Sequence, residues 1–170
     1  MRTILAVAVL AVGVAGLSAQ DDKKYEKDGK FTAKFPTTPV AAPQMAGGLT
    51  LQIVTSVEKG KGGYIVIYCD LPPEVLKAPK PEQVLESSEK GLVDNFKAKV
   101  TKSGPTMFGA KKYPAREITA EKEVPTGLWN LRGSIILVGN RMYQVYVFGD
   151  KEFIVGKEAD AFLGSFAITD

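Results

Sequence analysis

Histidine is absent from the chain, and there is a single cysteine, Cys69. Without histidine there is no Ser-His-Asp or Cys-His catalytic group, no HExxH zinc site and no haem held by histidine. One thiol excludes an intrachain disulfide and a cysteine-based zinc or iron–sulfur site within one chain. Charge of one sign is also scarce. The chain sets 22 Lys+Arg against 19 Asp+Glu, and a net charge of +3 is no basic stripe for nucleic acid. The lysines at 97, 99 and 102, and at 111 and 112, read as solvated faces. No GxxxxGK[ST], GxGxxG or DxDxDG loop occurs, and GKGGY at 60–64 is followed by no helical pattern. No metal site and no cofactor is expected.

What is present is ordinary for a folded domain: 170 residues, 45% hydrophobic and 24% charged. The clearest signal is at the front. Met1-Arg2 is a short positive start, Thr3 to Leu17 is uncharged and apolar, and Leu17-Ser18-Ala19 ends on a small residue before charge begins at Asp21. This pattern reads as a secretory signal peptide over residues 1–19, cut after Ala19. An uncleaved N-terminal anchor is the competing reading, and the apolar run is short for an ordinary spanning helix. Gln20 stands where a lipoprotein signal has its cysteine, so a soluble periplasmic or extracellular chain with no lipid anchor is expected. The cut leaves 151 residues and a net charge of +2, since Arg2 leaves with the leader. A chain of that length buries enough surface to fold without staples.

Residues 20–30 read as a flexible polar lead-in, and 31–170 as one α+β domain. Phe31 to Phe35 alternates and stops at Pro36, as a short strand does; Pro39, Pro43, Gly47 and Gly48 mark a loop. Leu49, Leu51, Ile53 and Val57 fall on one parity, with Val54 as the exception, which predicts a half-buried strand. Tyr64 to Leu71 is apolar on both parities, as in a central strand covered on both faces. The spacing of Leu85, Leu92 and Phe96 predicts a long helix over 81–100, acidic early and basic late. Gly104-Pro105 breaks the chain. Strands follow over 113–123, 128–138 and 141–148, joined through Pro125-Thr126-Gly127 and Gly139-Asn140. Ala159, Phe162, Leu163 and Phe166 predict a C-terminal helix. The expected architecture is α+β: an antiparallel sheet of about six strands flanked by the middle and C-terminal helices.

Parity fixes which side chains share a face. Trp129, Leu131, Leu137, Met142, Tyr146 and Phe148 are expected as core on one side. On the other, pairing across the two turns places Arg132 opposite Thr119 and Val147, and Ile136 opposite Tyr143. Glu117 and Glu121 then lie on the diagonals, within reach of the Arg132 guanidinium.

Few residues can carry chemistry. Arg116, Arg132 and Arg141 are three of the four arginines, set against eighteen lysines, and gather in one sheet region. Arginine suits fixed bidentate pairing, so they read as structural ion pairs or as an anion site. Glu117 and Glu121 are either solvent-facing or arginine-paired carboxylates, or a glycosidase-like pair. Cys69 alternates with Ile65, Ile67 and Leu71 and reads as a buried free thiol. Asp70 and Asp150 end strands and read as acceptors of turn hydrogen bonds.

Several phrases together resemble the PsbP-like group: FxxxFP at Phe31 to Pro36, the Tyr64 to Asp70 strand, the long helix, LVGNRMYQVYVFG at Leu137 to Gly149, and AFLGSF at Ala161 to Phe166. The resemblance implies a central antiparallel sheet flanked by helices and an accessory or binding role without catalysis. It carries over no functional residue, and the histidine among that group's metal ligands has no counterpart here. The expectation is therefore a non-enzymatic accessory domain of the cell envelope whose partner is another envelope protein. It should be a monomer or weak oligomer, with no nucleic acid bound and no membrane anchor after cleavage. Arg116, Glu117, Arg132, Arg141 and Tyr143 are the candidate contacts. The alternative is a small-molecule or anion binder, with Arg132 or Arg141 anchoring ligand between sheet and long helix; a carboxylate-based hydrolase is the third reading.

Overall fold

The computed structural model describes residues 23–77, 80–125 and 127–169, so the expected leader over 1–19 lies outside the described residues. In chain order the elements are β1 (Lys23–Lys27), β2 (Phe31–Phe35), β3 (Val40–Ala46), β4 (Leu49–Glu58), β5 (Gly62–Asp70), α1 (Pro73–Leu76) and α2 (Pro81–Phe96). There follow β6 (Lys99–Phe108), β7 (Tyr113–Val124), β8 (Gly127–Val138), β9 (Arg141–Gly149), α3 (Lys151–Ile154), α4 (Lys157–Ser165) and β10 (Ala167–Ile168).

Seven strands form one antiparallel sheet in the order β3-β4-β5-β9-β8-β7-β6, and β1-β2-β10 form a second, smaller sheet. The layering follows from the two buried faces. On one face Leu51, Ile65, Ile67, Leu137, Met142 and Tyr146 pack against Val84, Leu85 and Leu92 of α2. On the other, Val54, Tyr64, Val66, Tyr143, Val145 and Val147 meet Phe31, Ala33 and Phe35 of β2 together with Phe162 and Phe166. Strand β5 is an interior strand, third of the seven, and is buried along both parities, as its unbroken apolar run predicts.

The meander β7-β8-β9 has the expected register. Thr119 faces Arg132, Ile136 faces Tyr143, and Val138 faces Arg141. Gly139 turns between β8 and β9 at φ 59°, where a side chain would be strained. Gly133 is needed for closeness: a Cβ there would lie 1.9 Å from the Val145 carbonyl oxygen and 2.6 Å from the Tyr146 ring.

Other expectations need correcting. The sheet has seven strands rather than about six, because two proline-containing segments are edge strands. Val40–Ala46 pairs with β4 around Pro43, and Lys99–Phe108 pairs with β7 across Gly104-Pro105 with a bulge near Val100. An edge strand tolerates proline because one row of its backbone groups has no neighbour to bond. Within the segment expected to be a flexible lead-in, Lys23–Lys27 runs as a strand paired with β2. Helix α2 ends at Phe96, not 100, since Lys97 turns left-handed at φ 50° and Ala98 donates to the Val93 carbonyl. The late lysines therefore lie beyond it. Val54 is buried and Val57 is 57% exposed, the reverse of the parity reading, because the small sheet covers β4 on the Val54 side. Trp129 does share a face with Leu131 and Phe148, but it stands at the open end of that face and is 42% exposed, stacked on Phe148 at 5.8 Å.

Candidate functional site

The five residues singled out from sequence separate into three places. Arg116 lies on the α2 face, where its Nε donates to Glu89 and its Nη1 lies 3.6 Å from Glu86. Glu89 also accepts from the Ser103 hydroxyl at 2.7 Å, so helix and sheet are tied by a small polar cluster.

Arg141 and Tyr143 make a second group at the other end of β9. Arg141 stands opposite Asp70 in the β5–β9 register and grips it with both arms, Nε to Oδ1 at 2.7 Å and Nη2 to Oδ2 at 2.8 Å. Its Nη1 donates to the Asp28 carbonyl at 2.9 Å, and the guanidinium lies over the Tyr68 ring. Tyr143 donates its hydroxyl to the Gly29 carbonyl at 2.6 Å. Together these contacts fasten the β1–β2 turn to the main sheet. The fork of Arg141 is occupied, so it is no open anchor. The Arg141 hydrogen bonds hold the Asp70 carboxyl below its ordinary range. Asp70 thus serves Arg141 rather than a turn, whereas Asp150 does cap, accepting from the Phe153 N–H at 2.7 Å.

Glu117 and Arg132 belong to the third place, a groove of about 570 Å³. It lies between α4 and strands β6 to β8, on the face opposite α2, not between the sheet and the long helix as expected. Three cross-strand rows run beneath it: Thr106–Ala115–Ile136, Gly104–Glu117–Ser134, and Lys102–Thr119–Arg132. Helix α4 runs alongside and contributes Asp160 and Leu163, with Phe166 just past its end. The groove is graded. Ile136, Leu163, Phe108 and Phe166 line one end, where the two phenylalanine rings close together at 5.6 Å. Arg132, Lys102, Thr119 and Asp160 line the other.

Arg132 Nη2 donates to Asp160 Oδ1 at 2.5 Å, so its partner is on the helix and not Glu117 or Glu121. The rest of the guanidinium is less well served: Nε is buried without a hydrogen-bond partner among the described residues. Glu121 instead lies 3.7 Å from Lys99. Glu117 and Glu121 are four residues apart on one strand, about 13 Å along it. That backbone span is longer than the carboxyl separation of either glycosidase mechanism, and the two side chains have different surroundings, Glu117 in the groove and Glu121 beside Lys99. Among the described residues no three His, Cys, Asp or Glu side chains group as metal ligands.

Sequence reasoning missed the helix and edge contributions to this groove: Asp160, Leu163 and Phe166, and Lys102, Thr106 and Phe108. The spacing of 160, 163 and 166 was available as one flank of the C-terminal helix, adjacent to its buried stripe. Nothing in the sequence said which strands that flank would overhang.

Comparison with solved structures gives a match to the solution structure of cyanobacterial PsbP (CyanoP) from Synechocystis sp. PCC 6803, with a TM-score of 0.62 over 93% of this chain and 98% of that one. The fold is PsbP-like. Sequence identity across the match is 9%, so the likeness concerns the PsbP-like fold alone. No protein-family model matches the sequence, and no curated protein matches it. Among the described residues, no helix is long and apolar enough to cross a membrane.

Proposed function

We propose that the protein is an exported, non-catalytic accessory domain of the cell envelope, working by binding. The observation that carries the non-catalytic part is the use to which candidate residues are put. Arg116 is held by Glu89 and Glu86, Arg141 by Asp70 and the Asp28 carbonyl, and Tyr143 by the Gly29 carbonyl. The perturbed groups move in a direction that agrees with it. Burial raises Tyr64, Tyr68, Tyr143 and Tyr146, and pushes the Cys69 thiol up to about 11. Hydrogen bonding to each other lowers Asp70 and raises Arg141. Each shift carries its group away from neutrality, the opposite of what general acid–base work at neutral pH requires. The PsbP-like fold agrees with an accessory role, and the Met1 to Ala19 pattern supports export. A partner protein would find its contact at the exposed end of the α2 face, where Trp129 and Val57 present apolar surface.

The test is made in producing cells. Mass analysis should find the exported chain beginning at Gln20, and a photoreactive residue in place of Trp129 should crosslink to one envelope protein. An uncut chain retained in the cytoplasm, or a chain with no crosslink from that position, would count against this reading.

A second reading is favoured by one observation, the groove beside Arg132. Here the protein binds a small anionic ligand, with Arg132 as anchor. Arg141 takes no part, because Asp70 and the Asp28 carbonyl already use its donors.

A further inference from the structure

The geometry points to a ligand class for the groove between α4 and strands β6 to β8: a monocarboxylate with an unbranched apolar tail of medium length. This rests on the second reading above and names what that reading leaves general. The polarity gradient sets the orientation. A tail lies over Ile136 and Leu163 toward the Phe108–Phe166 pair, and the carboxylate lies at Arg132. Along β8, Arg132 to Ile136 spans about 13 Å, which suits decanoate. The volume of about 570 Å³ is within the range of small-molecule sites.

The headgroup follows from Arg132 itself. Its guanidinium already holds a carboxylate, that of Asp160, through Nη2 at 2.5 Å, while its buried Nε lacks a partner among the described residues. Asp160 is 64% exposed, so its pairing is screened by water and readily exchanged. Nε is closed to solvent while Asp160 is in place, so the ligand carboxylate must displace Asp160 and uncover Nε; it then converts a one-armed contact into a two-armed one. With Asp160 displaced, Arg132 and Lys102 stand against Glu117 alone in the groove, a surplus of one positive charge that one ligand carboxylate neutralises. A dianion would exceed that surplus.

The experiment is titration of the purified, 15N-labelled chain with decanoate and, separately, with decyltrimethylammonium, followed by amide shifts and calorimetry. The expected result is saturable one-to-one binding of decanoate that moves the amides of Thr106, Glu117, Arg132 and Leu163. Arg132→Gln should weaken it about tenfold or more. Asp160→Asn should strengthen it a few-fold by removing the internal competitor. Should Arg132→Gln fail to fold, Asp160→Asn and Lys102→Gln still decide, the latter weakening binding. Unchanged affinity in Arg132→Gln, or weaker binding in Asp160→Asn, overturns the proposal. Groove amides that respond to decyltrimethylammonium but not to decanoate overturn the ligand class and leave the groove as a binding site. Groove amides that respond to neither overturn both.

Discussion

Two tyrosines three residues apart on β9 should respond in opposite senses to loss of their hydroxyls. Tyr143 and Tyr146 are each 1% exposed and lie on opposite faces of the sheet. The Tyr143 hydroxyl donates to the Gly29 carbonyl at 2.6 Å, a bond between segments 114 residues apart. Tyr143→Phe removes the donor and leaves a buried carbonyl unmatched, for a loss of about 2 kcal/mol. For a chain of this size that is about 4–8 °C in Tm. The Tyr146 hydroxyl is buried under α2 with no hydrogen-bond partner among the described residues, and its ring lies over Gly133. Tyr146→Phe deletes a group that was desolvated without return. The effect should run from neutral to a gain of about 1 kcal/mol, the small void offsetting the rest. Urea unfolding of both variants with the parent, read by tryptophan fluorescence and circular dichroism, gives the two signs. Equal destabilisation by the two substitutions would refute the account of which hydroxyl is paired.

Three other outcomes follow from the same packing. The Asp70 carboxyl titrates below its ordinary range in the folded chain, so the Arg141 pair contributes fully above that range, and its contribution is lost as pH falls through the depressed value. Arg141→Gln should therefore lose about 1 kcal/mol at pH 7, and the gap to the parent should close in acid unfolding curves. The Cys69 thiol, raised by burial from an ordinary 9.0 to about 11, stabilises the fold below pH 9; that contribution, at most about 3 kcal/mol, is lost as pH rises toward 11. Relative to Cys69→Ala, the parent should lose extra stability over that window, and its thiol should alkylate slowly until the chain unfolds. Gly133→Ala forces a Cβ against the Val145 carbonyl and should cost about 3 kcal/mol in chemical unfolding.

How much of this was legible in the sequence divides by the range of the interaction. Strand β5 declared itself by being apolar on both parities, and the register of β7, β8 and β9 followed from matching Thr119 to Arg132 and Ile136 to Tyr143. These are near-neighbour strands joined by short turns, so parity and turn position determine the pairing. The edge strands were hidden because Pro43, Gly104 and Pro105 carry the marks of loops, and only an edge position reconciles them with a sheet. Val54 and Val57 were misread for a related reason. Which side of β4 is covered depends on β2, a strand remote in sequence that packs on it from the second sheet. The candidate site shows the same limit. That Arg132 and Glu117 share a face was readable; that Asp160, rather than either glutamate, would meet Arg132 depended on where α4 lies across the sheet. Arg116 and Arg141 were candidates by residue type, and both proved to be fasteners, of α2 through Glu89 and of the β1–β2 turn through Asp28.

Two contact surfaces are proposed for this PsbP-like domain, the Trp129 end of the α2 face for a partner protein and the groove beside α4 for a ligand. The groove, with Arg132 as its fixed charge, is the one a single structure tests. The most direct measurement is a structure of the chain grown with decanoate. The account predicts the carboxylate on Arg132 Nε and Nη2, Asp160 turned outward, and the tail lying between Leu163 and Ile136 toward Phe108. A groove filled by its own side chains, or decanoate seated against the α2 face instead, would contradict it.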